Sequence, residues 1–340
     1  MLKFNNDGHF RILTVSDFHG STKYNPKLKI GLEALIADTK PDFVFILGDI
    51  FTTLYDNEGI EAVEFFLRDA LTPIYDRNIP WAHVYGNHDR ECGLSNEVQQ
   101  AVYEKMPGCM SSSGPEDVSG VGNFRIPIYS NDGNDVRYNL FGLDSHSEFR
   151  DNMTDFGLKG VEWRLPVSFG PGGGNACPLP DQVCWYMTES KNAENAAGHK
   201  IPALMFMHIP LIEYNLIWRN PEETNMVGSM REGPGSCEMN SGLFLACLQR
   251  GDVRGIFSGH EHLIDYQGEY CGVTLAYDAA LGYDMSAHDD LRGGRVIDIY
   301  DDGRMYTKSI KLWDILGKSC MRNPDYMEGG CRYFVRKLWK

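Results

Sequence analysis

The 340-residue sequence lacks the features that mark several classes of protein. It contains no apolar run near the roughly 18 residues that a membrane-spanning helix needs. Its cysteines include no C-x-x-C pair of the kind that binds zinc. Positive charge is also scarce, because 32 Lys and Arg residues stand against 47 Asp and Glu residues, a formal net charge of −15. Since binding to long nucleic acids depends on neutralising phosphates with Lys and Arg, we expect neither a membrane nor a polynucleotide partner.

The amino terminus and the nine cysteines leave the cellular compartment open. The first twelve residues, MLKFNNDGHFRI, contain no apolar signal core. We therefore expect a cytoplasmic protein, or a secreted or periplasmic one whose signal was removed. Two cysteine pairs are candidates for disulfides in an oxidising compartment. They are Cys177 with Cys184, beside a segment rich in Pro and Gly, and Cys320 with Cys331 near the carboxyl end.

The order of the apolar patterns indicates an α/β fold. Runs typical of strands lie at 10–16 and within PDFVFILGD and IPWAHVYGNHD, and segments with apolar residues at helical spacing, 26–39 and 59–77, separate them. This alternation predicts parallel strands joined by crossover helices. Further strands are expected within VRYNLFGLDS, IPALMFMH and VRGIFSGHEH and at 273–277 and 295–300, with a helix at 243–249.

The domain organisation is expected to be simple. The sequence shows no repeat, no low-complexity segment and no linker, so we expect a single domain spanning 1–340. Two segments are predicted to form loop excursions from it. One, at about 166–198, begins with a Gly- and Pro-rich loop and continues into a candidate helix with Trp and Tyr; the other, at about 210–242, is rich in Pro, Gly, Glu and Met. Long excursions in compact domains are usually functional or mobile.

Side chains that bind metals follow the predicted strands at the points where the strands end. In TVSDFHG, for example, Asp17 and His19 come directly after the first apolar run. Because the carboxyl ends of parallel strands lie along one edge of an open α/β sheet, we expect such side chains to converge. The full set is Asp17, His19, Asp49, Asn87, His88, His208, His260 and His262.

The spacing within these clusters has a physical reason. Residues two apart on an extended segment point the same way, so Asp17 with His19, and His260 with His262, can each serve one site. A single Asp-x-His or Gly-Asp often marks only a turn, but five such clusters at strand ends indicate a metal site. A glycine, which permits a sharp exit from a strand, directly precedes three of the clusters: Gly48, Gly86 and Gly259.

The motifs DFH, GD, GNHD, a strand-terminal His and GHEH, in this order, resemble the signature of calcineurin-type metallophosphoesterases. Within that superfamily, GNHDRECGLS, MHIPLIEY, EMNSGLF and GDVRGIFSGHEH resemble the compact purple-acid-phosphatase-like branch. The resemblance implies an α/β fold of four layers, an α/β/β/α sandwich in which two facing mixed sheets are flanked by helices. It also implies two divalent or mixed-valence metal ions, and mixed nitrogen and oxygen ligands favour Fe, Mn or Zn over Ca.

The resemblance also assigns roles to the candidate residues. Asp49 would bridge the two metal ions, and His88 would protonate the leaving group or stabilise the phosphorane, with Asp89 orienting it. The alternative for His88 is a structural histidine behind the ligands. The first ion would be bound by Asp17, His19, Asp49 and His262, and the second by Asp49, Asn87, His208 and His260.

One position departs from the purple acid phosphatases. They carry a metal-binding Tyr three residues after the Asp of their second motif, whereas GDIFT has Thr52 there. The first motif carries His19, as in the metallophosphoesterases that are not purple. We therefore expect a colourless enzyme whose first metal ion is bound by His19 instead of a tyrosinate.

Four further residues are candidates for substrate contacts. Arg90 directly follows GNHD, although a solvated surface Arg is an equal alternative, and for His146 a loop histidine with its own hydrogen bonds is favoured. Tyr283 and His288 lie in ALGYDMSAHDDLRGG, a candidate substrate-side loop. A set of aromatic residues either forms an apolar wall for the leaving group or packs in the core, and packing in the core is favoured. Its members are Trp163, Trp185, Tyr186, Tyr214 and Trp218.

The sequence thus predicts hydrolysis of phosphomonoesters or small phosphodiesters, on a small molecule or a phosphoprotein, by a metal-bridging hydroxide. One alternative is a non-catalytic binding or scaffold protein on the same fold, whose sequence trace would be a loss of ligands. Here every expected ligand is present. A second alternative is a nuclease, which the acidic charge disfavours.

Overall fold

The computed structural model describes residues 1–52, 59–147, 174–237, 239–285 and 287–322. Within them the chain forms two mixed β-sheets that pack face to face, with helices against both outer faces. The layers therefore run helices, sheet, sheet, helices. The four-layer α/β/β/α sandwich that the resemblance implied is confirmed.

Twelve strands are present in the described part of the chain. Their bounds are β1 Leu2–Lys3, β2 His9–Val15, β3 Phe43–Ile46, β4 Trp81–His83, β5 Phe124–Tyr129, β6 Val136–Gly142, β7 Ala203–Phe206, β8 Val253–Ser258, β9 Gln267–Tyr270, β10 Val273–Tyr277, β11 Gly293–Tyr300 and β12 Met305–Lys311. The helices span Lys27–Thr39, Gly59–Ala70, Thr72–Tyr75, Asn96–Tyr103, Pro180–Ala197, Tyr214–Arg219, Leu243–Arg250 and Leu312–Leu316.

The first sheet has the strand order β12-β11-β2-β3-β4. Strands β2, β3 and β4 are parallel, as the alternating pattern predicted. The helix Lys27–Thr39 joins β2 to β3, and the helix Gly59–Ala70 lies between β3 and β4. The single helix expected over 59–77 is divided, because a second short helix begins at Thr72 with Pro73, which has no backbone N–H to continue the first.

The second sheet has the order β1-β5-β6-β7-β8-β10-β9. Strands β6, β7, β8 and β10 are parallel neighbours, and all four lie where the apolar runs predicted strands. The sequence patterns did not indicate β1, β5, β9 or β12. Pro127 interrupts the pattern of β5, and β9 and β12 are edge strands in which few residues are fully buried.

The core lies in three apolar layers. Between the sheets, Phe45 of β3 stacks on Phe206 of β7 with ring centroids 4.0 Å apart, and Phe257 continues the stack. Outside the first sheet, the helices Lys27–Thr39 and Gly59–Ala70 cover the opposite face. Three helices cover the second sheet: Pro180–Ala197, Tyr214–Arg219 and Leu243–Arg250. No helix in the described residues is both long enough and apolar enough to cross a membrane.

The two excursions contain helices that pack on the second sheet. In the first, residues 166–173 lie outside the described residues, and the expected helix is present at Pro180–Ala197. The candidate pair Cys177 with Cys184 is not brought together: Cys184 is exposed on this helix, whereas Cys177 is buried against Cys237 of the second excursion. Cys320 is buried, and its candidate partner Cys331 lies outside the described residues.

Candidate metal centre

The predicted ligands converge where strands of both sheets end. The sequence led us to expect one sheet edge, but β2, β3 and β4 of the first sheet meet β7 and β8 of the second. Two sets of donor atoms form there, each with its members within 4.8 Å of one another, and Asp49 belongs to both sets. The sets are Asp17, His19, Asp49 and His262, and Asp49, His208 and His260.

Asn87 completes the second set. Its Oδ1 lies 2.8 Å from His260 Nδ1 and 3.1 Å from His208 Nε2. His208 Nε2 lies in turn 3.1 Å from Asp49 Oδ2. The structure therefore brings all seven predicted ligands together in the two groups that the motifs indicated.

The donor atoms leave buried charge that a cation would compensate. Asp17 Oδ1 and Asp49 Oδ2 are buried, and imidazole nitrogens lie 3.1–3.9 Å from them. His262 Nε2 lies 3.5 Å from Asp17 Oδ1 and 3.0 Å from His19 Nε2. Carboxylate oxygens and imidazole nitrogens crowded in this way suit a transition-metal ion, because burial without a partner is costly for each of them.

The backbone at the ligands is unusual. Asp17, His19, Asp49 and His260 all have positive φ angles, of 54°, 45°, 49° and 86°. Residues other than glycine rarely adopt this left-handed conformation, and those that do cluster at functional sites. The turns out of β2, β3 and β8 are thus made by ligand residues themselves.

The three glycines before the ligands are required for two different reasons. Gly48 has a φ of 89°, which favours glycine. Gly86 and Gly259 are required by space instead: a Cβ on Gly86 would lie 2.1 Å from Asp49 Oδ1, and one on Gly259 would lie 1.8 Å from Ser16 Oγ. Any larger residue would push the strand exits apart.

The electrostatics keep His19, His260 and Asp49 in the forms that bind metals. Burial lowers the pKa of His19 to about 4 and that of His260 to about 3, so both rings are neutral at pH 7. Burial acts to raise the pKa of Asp49, but the charge of His208 outweighs it and holds that pKa well below its usual range. Neutral imidazoles and ionised carboxylates are the ligating species. His208 departs from this: burial acts to lower its pKa, but the charge of Asp49 outweighs burial and raises that pKa to about 9, so His208 would release a proton on binding an ion.

The surroundings of His88 differ from the expected ones. The His88 ring lies beside that of His19, with centroids 5.1 Å apart, and its Nδ1 is 2.6 Å from Glu91 Oε1. The Thr52 hydroxyl donates to Glu91 Oε2 at 2.8 Å. The carboxylate that contacts the His88 ring is therefore that of Glu91, whereas Asp89 was expected to orient it. The sequence did contain a signal for this contact. Glu91 follows His88 by three residues, and the turn Asp89–Cys92 places residues at that spacing on the same side.

Asp89 has another task. Its side chain is fully buried and accepts four backbone N–H groups at 2.7–3.1 Å. Those groups belong to Asp49, Ile50, Phe51 and Gly86. Asp89 thus fixes the exit of β3 to the exit of β4, and with it the positions of Asp49 and Asn87.

His146 and Arg90 were candidates for substrate contacts. His146 is buried, and its Nε2 pairs with Gln182 Oε1 at 2.9 Å, in agreement with the favoured interpretation of a hydrogen-bonded loop histidine. Arg90 is half-buried in the turn after His88. The pKa of Glu97 is lowered chiefly by a hydrogen bond with Ser95, and the charge of Arg90 adds to that effect.

The candidate substrate-side loop does reach the centre, but through its backbone. The N–H of Gly282 donates to the carbonyl of Asp17 at 2.9 Å. Tyr283, however, is buried and donates its hydroxyl to the carbonyl of Cys320. His288 Nδ1 lies 3.0 Å from Arg231 Nη1. Two side chains of this loop were predicted to contact substrate. One of them, Tyr283, is therefore packed in the interior instead.

Four members of the aromatic set pack in the core or against it, as favoured. Tyr186 and Tyr214 are buried in the layer outside the second sheet, and Trp185 and Trp218 are partly buried against it. Trp163 lies outside the described residues.

A family model described as calcineurin-like phosphoesterase matches residues 10–263 of the chain. The protein belongs to this family. The resemblance drawn from the motifs is thereby confirmed, and the fold is that of dimetal phosphatases with a cluster of Asp and His residues able to bind metal.

Relatives of this calcineurin-like phosphoesterase carry names of two kinds. A protein of Arabidopsis thaliana named probable inactive purple acid phosphatase 14 is 29% identical over 316 residues, which cover 83% of this chain and 73% of that protein. Phosphatase DCR2 of Saccharomyces cerevisiae is 26% identical over 288 residues, covering 78% of this chain and 46% of that protein.

Two solved structures share the fold. A dimetal phosphatase from Danio rerio superimposes with a TM-score of 0.57 at 14% identity, covering 89% of this chain and 97% of that one. GAP50, described as the anchor in the inner membrane complex of Plasmodium, gives a TM-score of 0.51 at 10% identity, covering 89% of this chain and 84% of the other.

Proposed function

We propose that this protein is a binuclear metal-dependent phosphohydrolase that cleaves phosphomonoesters or small phosphodiesters. The observation that carries the proposal is the pair of overlapping donor sets that share Asp49. A carboxylate common to two sets suits a bridge between two cations, and two-metal sites of this kind serve phosphoryl transfer.

The residues of the centre have distinct tasks in this proposal. The first ion would be held by Asp17, His19, Asp49 and His262, and the second by Asp49, Asn87, His208 and His260. Two such ions would supply Lewis-acid stabilisation of a phosphate and a nucleophile generated from water at neutral pH. Fe, Mn and Zn are the ions that this mixture of ligands favours.

His88 is the proposed proton donor. Its Nδ1 is engaged by Glu91, so Nε2 is the ring nitrogen left to act on a leaving-group oxygen. A ring with one nitrogen held by a carboxylate has a defined orientation, which general acid catalysis needs. Arg90 and His288 are the candidates for contacts with the rest of a small phosphoester or a phosphoprotein, and we propose a single domain as the unit that carries the site.

The main alternative is a non-catalytic binding or scaffold protein. It is favoured by the names of relatives such as probable inactive purple acid phosphatases 14 and 28 of Arabidopsis thaliana. The complete donor sets support catalysis instead, because a protein that only binds a partner has no need of seven converging ligands.

The test is hydrolysis of 4-nitrophenyl phosphate and bis(4-nitrophenyl) phosphate by protein loaded with Mn, Zn or Fe. Asp49→Asn is the matched control, because Asn keeps the shape and tolerates positive φ but removes the shared charge. We expect a rate well above that of Asp49→Asn, and bound metal that falls in this variant.

The outcomes separate the alternatives. A dominant monoester rate identifies a phosphatase, and a dominant diester rate a phosphodiesterase. If wild type binds two equivalents of metal but hydrolyses neither ester faster than Asp49→Asn, catalysis is refuted and the scaffold function takes its place. Cleavage of single-stranded DNA that Asp49→Asn lacks would identify a nuclease.

A further inference from the structure

The two excursions meet at a buried pair of thiols. Cys177 of the first and Cys237 of the second are 5% and 0% exposed and form an apolar cluster of their own. Their side chains are close enough for a hydrogen bond between the thiols. Two thiols in contact and shielded from water, about 60 residues apart in the chain, have the placement of a disulfide-forming pair.

The neighbouring backbone holds the two segments side by side. Asn175, two residues before Cys177, donates its side-chain N–H to the carbonyl of Gly235, which is two residues before Cys237. The N–H of Met239 lies 3.2 Å from Cys237 Sγ. The two segments are therefore held side by side two residues before the thiols.

We propose that Cys177 and Cys237 form an intramolecular disulfide that joins the two excursions. In the reaction, one thiolate attacks the disulfide of oxidised glutathione and releases one reduced glutathione, and the second thiolate then displaces the other. Two thiol protons and two electrons leave the protein, one protein S–S bond forms, and the glutathione S–S bond is reduced to two thiols. This proposal does not depend on the proposed phosphohydrolase activity.

The bond is expected to form during folding. The hydrogen bond with Cys237, together with burial, raises the pKa of the Cys177 thiol, so little thiolate is present once the protein has folded. In the unfolded chain both thiols are exposed and react at ordinary rates. A reducing compartment such as the cytoplasm would keep the pair as thiols, so the state of this pair in the cell also reports the compartment.

The bond would act on the metal centre through the second excursion. Arg231 donates its backbone N–H to the carbonyl of Leu263 at 3.0 Å, and Glu232 accepts the N–H of Leu263 through its carboxylate. Leu263 directly follows the predicted metal ligand His262. Fixing Cys237 to the first excursion would therefore hold this contact against the centre.

The experiment is to refold the full chain in a mixture of oxidised and reduced glutathione, block free thiols with iodoacetamide and digest with trypsin without reduction. The sequence places Cys177 in tryptic peptide 165–191 and Cys237 in 232–250. We expect these two peptides to be cross-linked, with fragmentation assigning the bond to Cys177 and Cys237. The cross-link should persist in Cys184→Ser, because Cys184 is exposed on the helix, and disappear in Cys177→Ser.

A second measurement, made on the wild-type protein, tests for the same bond. Adding a phosphine reductant should lower the melting temperature of the oxidised wild type by about 5 °C or more. The control variant Cys184→Ser should respond equally. An internal bridge within 165–191, which would join Cys177 to Cys184, overturns the proposal. Recovery of both Cys177 and Cys237 in the alkylated form after oxidative refolding also overturns it.

Discussion

Glu91 Oε1 lies 2.6 Å from His88 Nδ1, and the Thr52 hydroxyl holds the other carboxylate oxygen at 2.8 Å. The ring of His88 is therefore fixed by a carboxylate that is itself fixed. Thr52 occupies the position at which purple acid phosphatases have a metal-binding Tyr. In those enzymes this side chain binds the metal, whereas here it contacts the carboxylate that contacts His88.

We expect Glu91→Ala to slow turnover of phenyl phosphate about tenfold, as one part of the 10²–10⁴-fold that general acid catalysis contributes. The loss should be smaller for 4-nitrophenyl phosphate, because its better leaving group depends less on protonation by His88. Metal content and KM should change little, and Glu91→Gln should retain part of the activity. The control is Glu97→Gln on the following helix. An equal loss with both esters, or loss of metal, would show that Glu91 only maintains the structure.

The Thr52 contact leads to a spectroscopic prediction. Residue 52 is a threonine whose hydroxyl donates to Glu91, so this position supplies no tyrosinate to the metal centre. Protein loaded with iron should lack the visible tyrosinate-to-iron absorption band of purple enzymes. The measurement is an absorption spectrum of the reconstituted protein. A visible band that vanished when a Tyr was replaced by Phe would contradict the prediction.

His83 should make the free energy of unfolding sensitive to acid. Its ring is buried, stacks on Tyr103 with centroids 3.9 Å apart and contacts Ser111 Oγ, and burial lowers its pKa to about 3. In the unfolded chain a His takes up its proton near pH 6.5. Below that pH the unfolded state binds more protons, so stability falls as the pH drops from about 6.5 towards 3, by up to about 1.4 kcal/mol per unit.

The measurement is urea unfolding at pH 7 and pH 5 in the presence of a chelator. His83→Phe, which keeps a stacked ring but cannot titrate, should lose less stability between the two pH values than wild type. The exposed His199 provides the control variant His199→Asn, which should behave as wild type. If His83→Phe showed the same pH dependence as wild type, His83 would not be the group responsible.

Asp278 and Arg295 join the two sheets through a buried ion pair. Arg295 lies on β11, and Asp278 directly follows β10. Arg295 Nε donates to Asp278 Oδ1 at 3.1 Å, and both side chains are fully shielded from solvent. We expect Asp278→Asn to cost about 3–5 kcal/mol in the free energy of unfolding, because it leaves a guanidinium charge that cannot be neutralised. Arg295→Met should cost less, since burial already raises the pKa of Asp278 to about 6 and its carboxylate can take up a proton.

Denaturant unfolding of the two variants measures this order. The exposed pair of Asp302 and Arg304 supplies the control, and Asp302→Asn should leave stability unchanged within error. A larger loss in Arg295→Met than in Asp278→Asn would contradict the argument.

The parts of the molecule that could be predicted from sequence are those encoded locally. The parallel strands β2, β3 and β4 were evident from apolar runs separated by helical patterns, and all seven candidate ligands lie in short motifs directly after strands. Spacing along the chain was sufficient there, because each motif contributes its side chains at one strand end.

The rest depends on contacts between distant segments. The division of the strands into two sheets, and the contact between Cys177 and Cys237, are set by packing that no local pattern reports. The contacts of Asp89 depend on packing in a similar way. Its neighbour in sequence is His88, but its side chain turns inward to four backbone N–H groups while Glu91 meets the ring.

The left-handed backbone at Asp17, His19, Asp49 and His260 would make the proposed metal centre a preorganised chelator. Strain of this kind costs on the order of 1–3 kcal/mol per residue, and the folding of the two sheets supplies that energy. An arriving ion therefore meets donors that are already aimed and need not be ordered by it, which favours tight binding. Selection among ions then rests on their size and preferred donors, and exchange of one metal for another should leave the course of the chain unchanged.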